Sequence, residues 1–342
     1  MEPLAALQHF HPRLEEELRA VLEQCERPLH TLMAHHLGWV DELDAPVRMA
    51  APWRLRGTLC LVAARAAGGS EEQVLPAAAA VELVHNFSMI HEDIQNGIQD
   101  REHRPTVWWV WGPAQAINAG DGMHALARLA LFRLVERGVA PERVLHALTL
   151  LDQSCLQLCV GQHLDLTYQE HLLVAEEQYL KLAGERAGAL IGCAMELAAL
   201  VSDTAPRVQQ AFGQAGQRLG IALQLWEDQL ALWPPGDASD LLASALLNKR
   251  KTLPVIYGLA QAKGNVKREL GAAYFKRVLE PQDLGRVAQL LEGLGAREYT
   301  QQVMERYYGE AMEALDGSGL SQKSLQDLKG VARFLVERTA GA

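Results

Sequence analysis

An all-α fold is what this chain predicts, and three observations carry the prediction. Apolar residues recur at three- and four-residue spacing in almost every segment. Gly and Pro mark most of the joints between those segments. No convincing run alternates apolar and polar residues with the period of two that a half-buried strand needs, and there is no Gly-rich phosphate loop and no G-x-S-x-G elbow.

In chain order, the first helical pattern covers residues 14–37. Residues 54–67 follow and end at Gly68-Gly69, and 77–94 form the next run. Pro105 and Pro113 bound a short irregular link before the helix at 114–136, which Gly138 and Pro141 break. Residues 142–166 and 176–200 are long amphipathic runs. Pro206 opens 208–233, and Pro234-Pro235-Gly236 stops it. Runs at 241–262, 265–279, 283–294, 297–315 and 321–338 complete the chain. No low-complexity linker or internal boundary interrupts this order, so the expectation is a single all-α domain over residues 1–342, its helices packed round a common centre.

The composition is that of a soluble globular protein with a large core, at 49% hydrophobic and 22% charged residues. A net charge of −10 argues against nucleic acid as a partner, because nothing would neutralise a phosphate backbone. Cys25, Cys60, Cys155, Cys159 and Cys193 lie in apolar helical runs, and no His or Cys cluster completes a zinc set. Core thiols in a reducing compartment are expected. The opening stretch MEPLAALQHFHPRLEEEL carries acids and no apolar signal region, and no uncharged apolar run approaches a membrane span. A cytoplasmic location follows as an expectation.

Residues 81–106, VELVHNFSMIHEDIQNGIQDREHRPT, run from an apolar helix into acids and bases. Glu92 and Asn96 are four apart and share a helix face, while Asp93 lies about 100° round from Glu92. A polar rim at the end of an apolar wall suits a ligand with an apolar tail and a charged head bridged by a hard cation; a helix that becomes solvated at its end gives the same pattern. A second adjacent pair, Glu227 and Asp228, lies in ALQLWEDQLAL. Buried carboxylates need a partner or a metal, whereas surface ones need neither. Arg54, Arg56, Arg101, Arg104, Arg186, Lys249, Arg250 and Lys251 add cations that suit a diphosphate bridged by Mg²⁺, although each alone is an ordinary surface charge. Trp108, Trp109, Trp111 and Trp226 lie near the acids; they either pack or present faces that stabilise a cation.

Over residues 30–340 the chain resembles the trans-isoprenyl diphosphate synthases, or polyprenyl synthetases. HEDIQNGIQDREHRPT is similar to that family's first aspartate-rich motif, and AGDGMH, GQHLDL, ERAGALIG, LGIALQLWEDQL and KRKTLPVIYGL follow in the family's order and spacing. The resemblance implies a single large helical bundle of the isoprenoid synthase type around a deep apolar cavity, with both acid motifs at its mouth. It implies Mg²⁺ as cofactor, held by Glu92, Asp93, Asn96, Glu227 and Asp228, a prenyl diphosphate as substrate, and a homodimer. It places Arg101, Arg186, Gln224 and Arg250 at catalytic positions. Substrate-binding positions fall on Phe87, His85, Arg54, Trp226, Gln162, Asp165 and Lys251, with Phe87 closing the cavity floor and favouring a short chain such as farnesyl or geranyl diphosphate.

The departures shape the functional expectation. Asn96 and Ala231 stand where the family's motifs have aspartates, which weakens metal binding. Trp53 replaces the Lys of G-K-R and Glu102 the second Arg after the first motif, so the isopentenyl diphosphate side is reduced to Arg54 and His85. An allylic cation without an external alkene attacks its own double bonds or water. The expected function is therefore a terpene synthase, a carbon–oxygen lyase that ionises farnesyl diphosphate. The alternatives are a prenyltransferase that condenses an allylic diphosphate with isopentenyl diphosphate, and a non-catalytic subunit of a heteromeric synthase.

Overall fold

The structure is a computed structural model that describes residues 3–47, 54–101, 103–171, 173–234, 249–276 and 280–337. Contacts divide the chain into two compact units: residues 1–155, 190–216 and 314–332 in the first, and 156–189, 217–313 and 333–342 in the second.

The first unit is built on α4, Glu71–Asn96. Its central Ala77–Ala80 combines the strongest helix propensity with a small side chain, which leaves room for neighbours to approach at that turn. It packs against α1 (Pro3–Leu22), α3 (Leu55–Ala66) and α6 (Pro113–Glu136). Every residue from Val74 to Val84 is buried. Glu71 and Glu72 sit in the first turn, where the helix dipole favours acids, and Gly97 ends the helix with φ 63°. Beside this core lie α2 (Leu29–His36), the two-residue strands β1 (Asp100–Arg101) and β2 (Arg104–Pro105), and α5 (Val107–Trp111). The unit also takes the part of α7 (Pro141–Glu170) before Leu156, most of α9 (Ala189–Val201) and the start of α10 (Pro206–Leu232).

The second unit holds the rest of α7 and α10, then α8 (Glu176–Ala183) with a π-helical turn at Gly184–Gly188, α11 (Leu253–Gln261), α12 (Gly264–Phe275) and α13 (Pro281–Gly293). It also holds α14 (Ala296–Asp316) up to Glu313 and the end of α15 (Gln322–Glu337). Leu232, Val255, Leu270, Leu284, Val287 and Leu291 form its core, each contributing roughly 1.5–3 kcal/mol on burial. The start of α13 is set by Pro281 at its first position and by Asp283, whose carboxylate accepts from the Glu280 amide at 3.0 Å.

The all-α expectation holds, with corrections in detail. The pattern at 14–37 divides at Pro28 into α1 and α2. The irregular link holds the short α5, and β1 pairs antiparallel with β2. In the run at 241–262, residues 241–248 lie outside the described residues. Of the cysteines, all free, Cys60, Cys155 and Cys193 are buried, but Cys159 is exposed. By length and composition α7 could cross a membrane, against the expectation, although its Asp165 is ion-paired.

Candidate functional site

In the first unit the end of α4 carries the first acid motif. Asp93 is 1% exposed and accepts from the Nε of Arg101, on the hairpin that follows. Burial raises its carboxyl to about 6, against the pull of Arg101. Its other oxygen, Oδ2, is buried with no hydrogen-bond partner among the described residues. Glu92 and Asn96 are half-buried on the neighbouring face, and the Asn96 amide donates to the Glu92 carbonyl at 3.2 Å.

Register between β1 and β2 places Arg101 opposite Arg104. Arg104 donates to the carbonyls of His35 (2.6 Å) and His36 (3.3 Å), where the C-terminal end of α2 attracts a cation, and His35 Nε2 meets the Pro105 carbonyl at 2.8 Å. Trp108 donates to the Ile98 carbonyl at 2.6 Å, Trp111 stands edge-on to His35, and Trp109 is exposed. With Trp109 edge-on to Trp108, three of the tryptophans expected near a cation thus have local hydrogen-bonding or ring partners.

Arg54 and Arg56 part company. Arg54 is 3% exposed; it pairs with Glu15 at 2.6 Å and donates to the Leu37 carbonyl at 2.8 Å. Arg56, two positions on, donates to His85 Nε2 at 2.9 Å. A guanidinium has no acceptor, so that ring nitrogen accepts. Burial, then Arg56, His36, Arg101 and Arg54, holds His85 well below its ordinary pKa. His36 is pushed to about 3 by burial and by Arg101, Arg104, Arg54 and His35. These shifts record one cationic neighbourhood of Arg56, Arg101 and Arg104 round two neutral imidazoles. Trp53 and Glu102, whose changes argued against this half-site, lie outside the described residues. Phe87 is buried with His91 and His124 edge-on to it, at 5.7 and 5.2 Å between ring centres.

In the second unit α7 lies against the π-helical turn. A Cβ at Gly161 would come within 2.7 Å of the Arg186 backbone, so only glycine permits this approach. One turn on, the Asp165 Oδ2 accepts from Arg186 Nη1 at 2.8 Å and from Arg250 Nη2 at 2.9 Å. Gln162, half-buried, lies three residues before Asp165 on α7. Lys251 is buried, which lowers its pKa, and donates to the carbonyls of Gln169 and Lys249 at 3.4 and 3.1 Å.

Asp228 is 5% exposed. Its Oδ2 accepts from the Tyr179 hydroxyl and, at 3.3 Å, from the Leu253 amide; its Oδ1 accepts from Gln224 at 3.0 Å. Burial raises the carboxyl to about 7 against these bonds. Glu227 is half-buried beside it. Trp226 lines a different space, a cavity of about 760 Å³ shared with Gln229, Leu230, Trp233, Arg297 and Gln301. Asp165, Arg186 and Arg250 thus come together, as do Gln224 and Asp228, while Trp226 opens elsewhere. Sequence reasoning counted Arg56 only among the cations suited to a diphosphate, gave it no place beside His85, and assigned no role to Tyr179. The signals were the second arginine of WRLRG and a tyrosine seven residues before Arg186 on one helical run.

Among the described residues no three His, Cys, Asp or Glu side chains form a metal cluster. The first motif fits a cation through the unpartnered Asp93 oxygen. At Asp228 a cation would have to compete with the Tyr179, Leu253 and Gln224 donors that its two oxygens already accept.

The polyprenyl synthetase family model matches residues 49–292. The (2E,6E)-farnesyl diphosphate synthase of Mycobacterium tuberculosis is 31% identical over 335 residues, 96% of this chain and 92% of that protein. The geranylgeranyl diphosphate synthase of the same organism is 33% identical over 300 residues, 87% and 84% of the two chains. The crystal structure of a polyprenyl synthetase from Streptomyces coelicolor A3(2) superposes with TM-score 0.89 at 31% identity, covering 98% of this chain and 100% of that one. The terpene synthase expectation is overturned: these relatives are named as prenyl diphosphate synthases, not as cyclases. The physical reason lies with Arg56. The expectation counted Arg54 as the remaining guanidinium of the isopentenyl side, whereas Arg56 is the one beside His85.

Proposed function

Since the chain belongs to the polyprenyl synthetase family, we propose that it is a prenyltransferase that condenses a short allylic diphosphate with isopentenyl diphosphate. The Arg56–His85 pair is the observation that carries this reading. It supplies a guanidinium, next to a neutral imidazole, for a second diphosphate that a cyclase has no need to hold. Arg186 and Arg250, gathered on Asp165, suit the allylic diphosphate.

In the reaction the allylic C–O bond breaks and its electron pair leaves with diphosphate. The alkene of isopentenyl diphosphate then bonds to the allylic carbon, and loss of a proton restores a double bond. The chain's guanidiniums bind and orient both diphosphates and stabilise the charge that develops on the leaving one. Glu92, Asp93 and Asn96 would hold Mg²⁺, which when bound neutralises diphosphate oxygens. We also propose a homodimer. Ile117, Leu129, Phe132 and Val135 leave an apolar stripe 44–51% exposed along α6, and sedimentation giving only the mass of one chain would dismiss it.

The deciding assay takes the chain with Mg²⁺ and geranyl or farnesyl diphosphate, with and without isopentenyl diphosphate, and reads products by mass. A prenyl diphosphate one five-carbon unit longer, formed only with isopentenyl diphosphate, is expected. Hydrocarbon or alcohol from the allylic diphosphate alone, or no turnover at all, would overturn the reading.

A further inference from the structure

An acid beside an anion site normally weakens the anion's binding. Asp165 is such an acid, yet its surroundings point the other way. One oxygen, Oδ2, accepts from the guanidiniums of both Arg186 and Arg250. The two arginines come from separate stretches, Arg186 from the π-helical turn and Arg250 from the segment before α11. Side by side they repel, and each carries enough rotamer freedom to swing apart. Asp165 is 9% exposed, and α7 is pinned by the close approach of Gly161 to the Arg186 backbone, so this carboxylate is a fixed point. Two guanidiniums on one carboxylate leave a net charge of +1, with both forks held in one place.

Resting on the reading that Arg186 and Arg250 hold the allylic diphosphate, we propose that Asp165 is a positioning residue that makes these two arginines a single anion receptor. Its removal then weakens diphosphate binding, although it deletes a negative charge.

Calorimetric titration of inorganic pyrophosphate with Mg²⁺ into the full chain tests this. Asp165→Asn is expected to weaken binding on the order of tenfold, the loss of one charge-assisted bond. Asp165→Glu, which keeps the charge, is expected to restore most of it; a purely structural role would not be rescued in this way. In a cycle with Arg250→Ala, the double variant Asp165→Asn/Arg250→Ala should bind about as weakly as Arg250→Ala alone, since the receptor is already broken. Tighter or unchanged binding by Asp165→Asn, or full additivity in the cycle, overturns the positioning role. Should Asp165→Asn fail to fold, the comparison of Asp165→Glu with the wild type decides: binding weakened tenfold or more overturns the proposal, and near-native binding upholds it. If Arg186→Ala and Arg250→Ala both leave pyrophosphate binding intact, the assignment of the diphosphate to these arginines fails, and the positioning role fails with it.

Discussion

Arg56 donates to His85 Nε2 at 2.9 Å, and the imidazole is kept neutral by burial and by that same guanidinium. The pair sits where α3 begins and α4 passes, so two backbone-anchored groups meet without a flexible linker. Arg56→Ala is expected to raise the KM for isopentenyl diphosphate by about tenfold or more, the loss of a charge-assisted hydrogen bond. The KM for the allylic substrate should stay within about threefold in the same steady-state kinetics. Equal loss for both substrates would show that Arg56 does not discriminate between them.

Arg54 has a different fate. Its partner Glu15 also accepts from the Trp39 indole, so the guanidinium ties α1 to the chain after α2. Arg54→Ala leaves the partly buried Glu15 carboxylate without its countercharge, at a cost of about 1–3 kcal/mol. A fall in the denaturant midpoint without a selective change in isopentenyl diphosphate KM is expected. A selective KM effect in a fully stable variant would return Arg54 to the substrate site.

The contrast between these neighbours shows where residue order stops being informative. The helical segments and most of the Gly and Pro breaks follow from local pattern and are legible in the chain, although α1 begins at Pro3 rather than at residue 14 and α4 at Glu71 rather than at residue 77. Residues two apart at a helix start point about 200° from each other, so WRLRG alone does not say which arginine meets His85. Adjacent residues diverge by about 100°, which separates Glu92 from Asp93, and it was legible that the two would diverge. It applies equally to Glu227 and Asp228, but the partner that claims Asp228 is Tyr179, 49 residues away. The meeting of Asp165 with Arg186 and Arg250 likewise depends on tertiary packing and on a π-helical turn that no spacing rule anticipates.

The two buried aspartates therefore call for opposite outcomes. Asp93 keeps one unpartnered buried oxygen, whereas Asp228 spends both on protein donors. With Mn²⁺ as probe, read by its paramagnetic resonance, Asp93→Asn is expected to weaken cation binding and Asp228→Asn to leave it unchanged. Asp228→Asn should instead lose about 1–3 kcal/mol of stability, because the amide cannot accept from all three donors. Cation binding that depends on Asp228 would show that the Tyr179 bond opens when metal arrives.

His36 gives the fold an acid-labile point. Its pKa falls from 6.5 to about 3, first through burial and then through Arg101, Arg104, Arg54 and His35. The folded state thus binds fewer protons than the unfolded one between those two values. The group's contribution to stability is intact above 6.5 and is lost as the pH falls towards 3, on the order of 1 kcal/mol per pH unit. His85 acts with the same sign; Asp93, whose carboxyl is raised, acts with the opposite one. His36→Gln removes one term of the three. Its melting temperature should gain on the wild type as the pH is lowered from 7 to 4, and a constant gap across that range would refute the assignment.

Phe87 is the residue on which product length is expected to turn. It lies five positions before Glu92 on α4, buried, with the edges of His91 and His124 against it. The His91 ring reaches this place because Gly120 on α6 has no side chain; an added Cβ would fall 2.2 Å from the ring. Phe87→Ala removes the largest member of the cluster and leaves space of the order of several methylenes, enough for a further isoprene unit if the tail ends here. Products at least one five-carbon unit longer than the wild type's are expected by mass. Gly120→Ala tests the support rather than the plug: displacing His91 should cost about 1–3 kcal/mol of stability through overpacking and should broaden the product range. An unchanged product length in Phe87→Ala would place the floor of the cavity on other side chains.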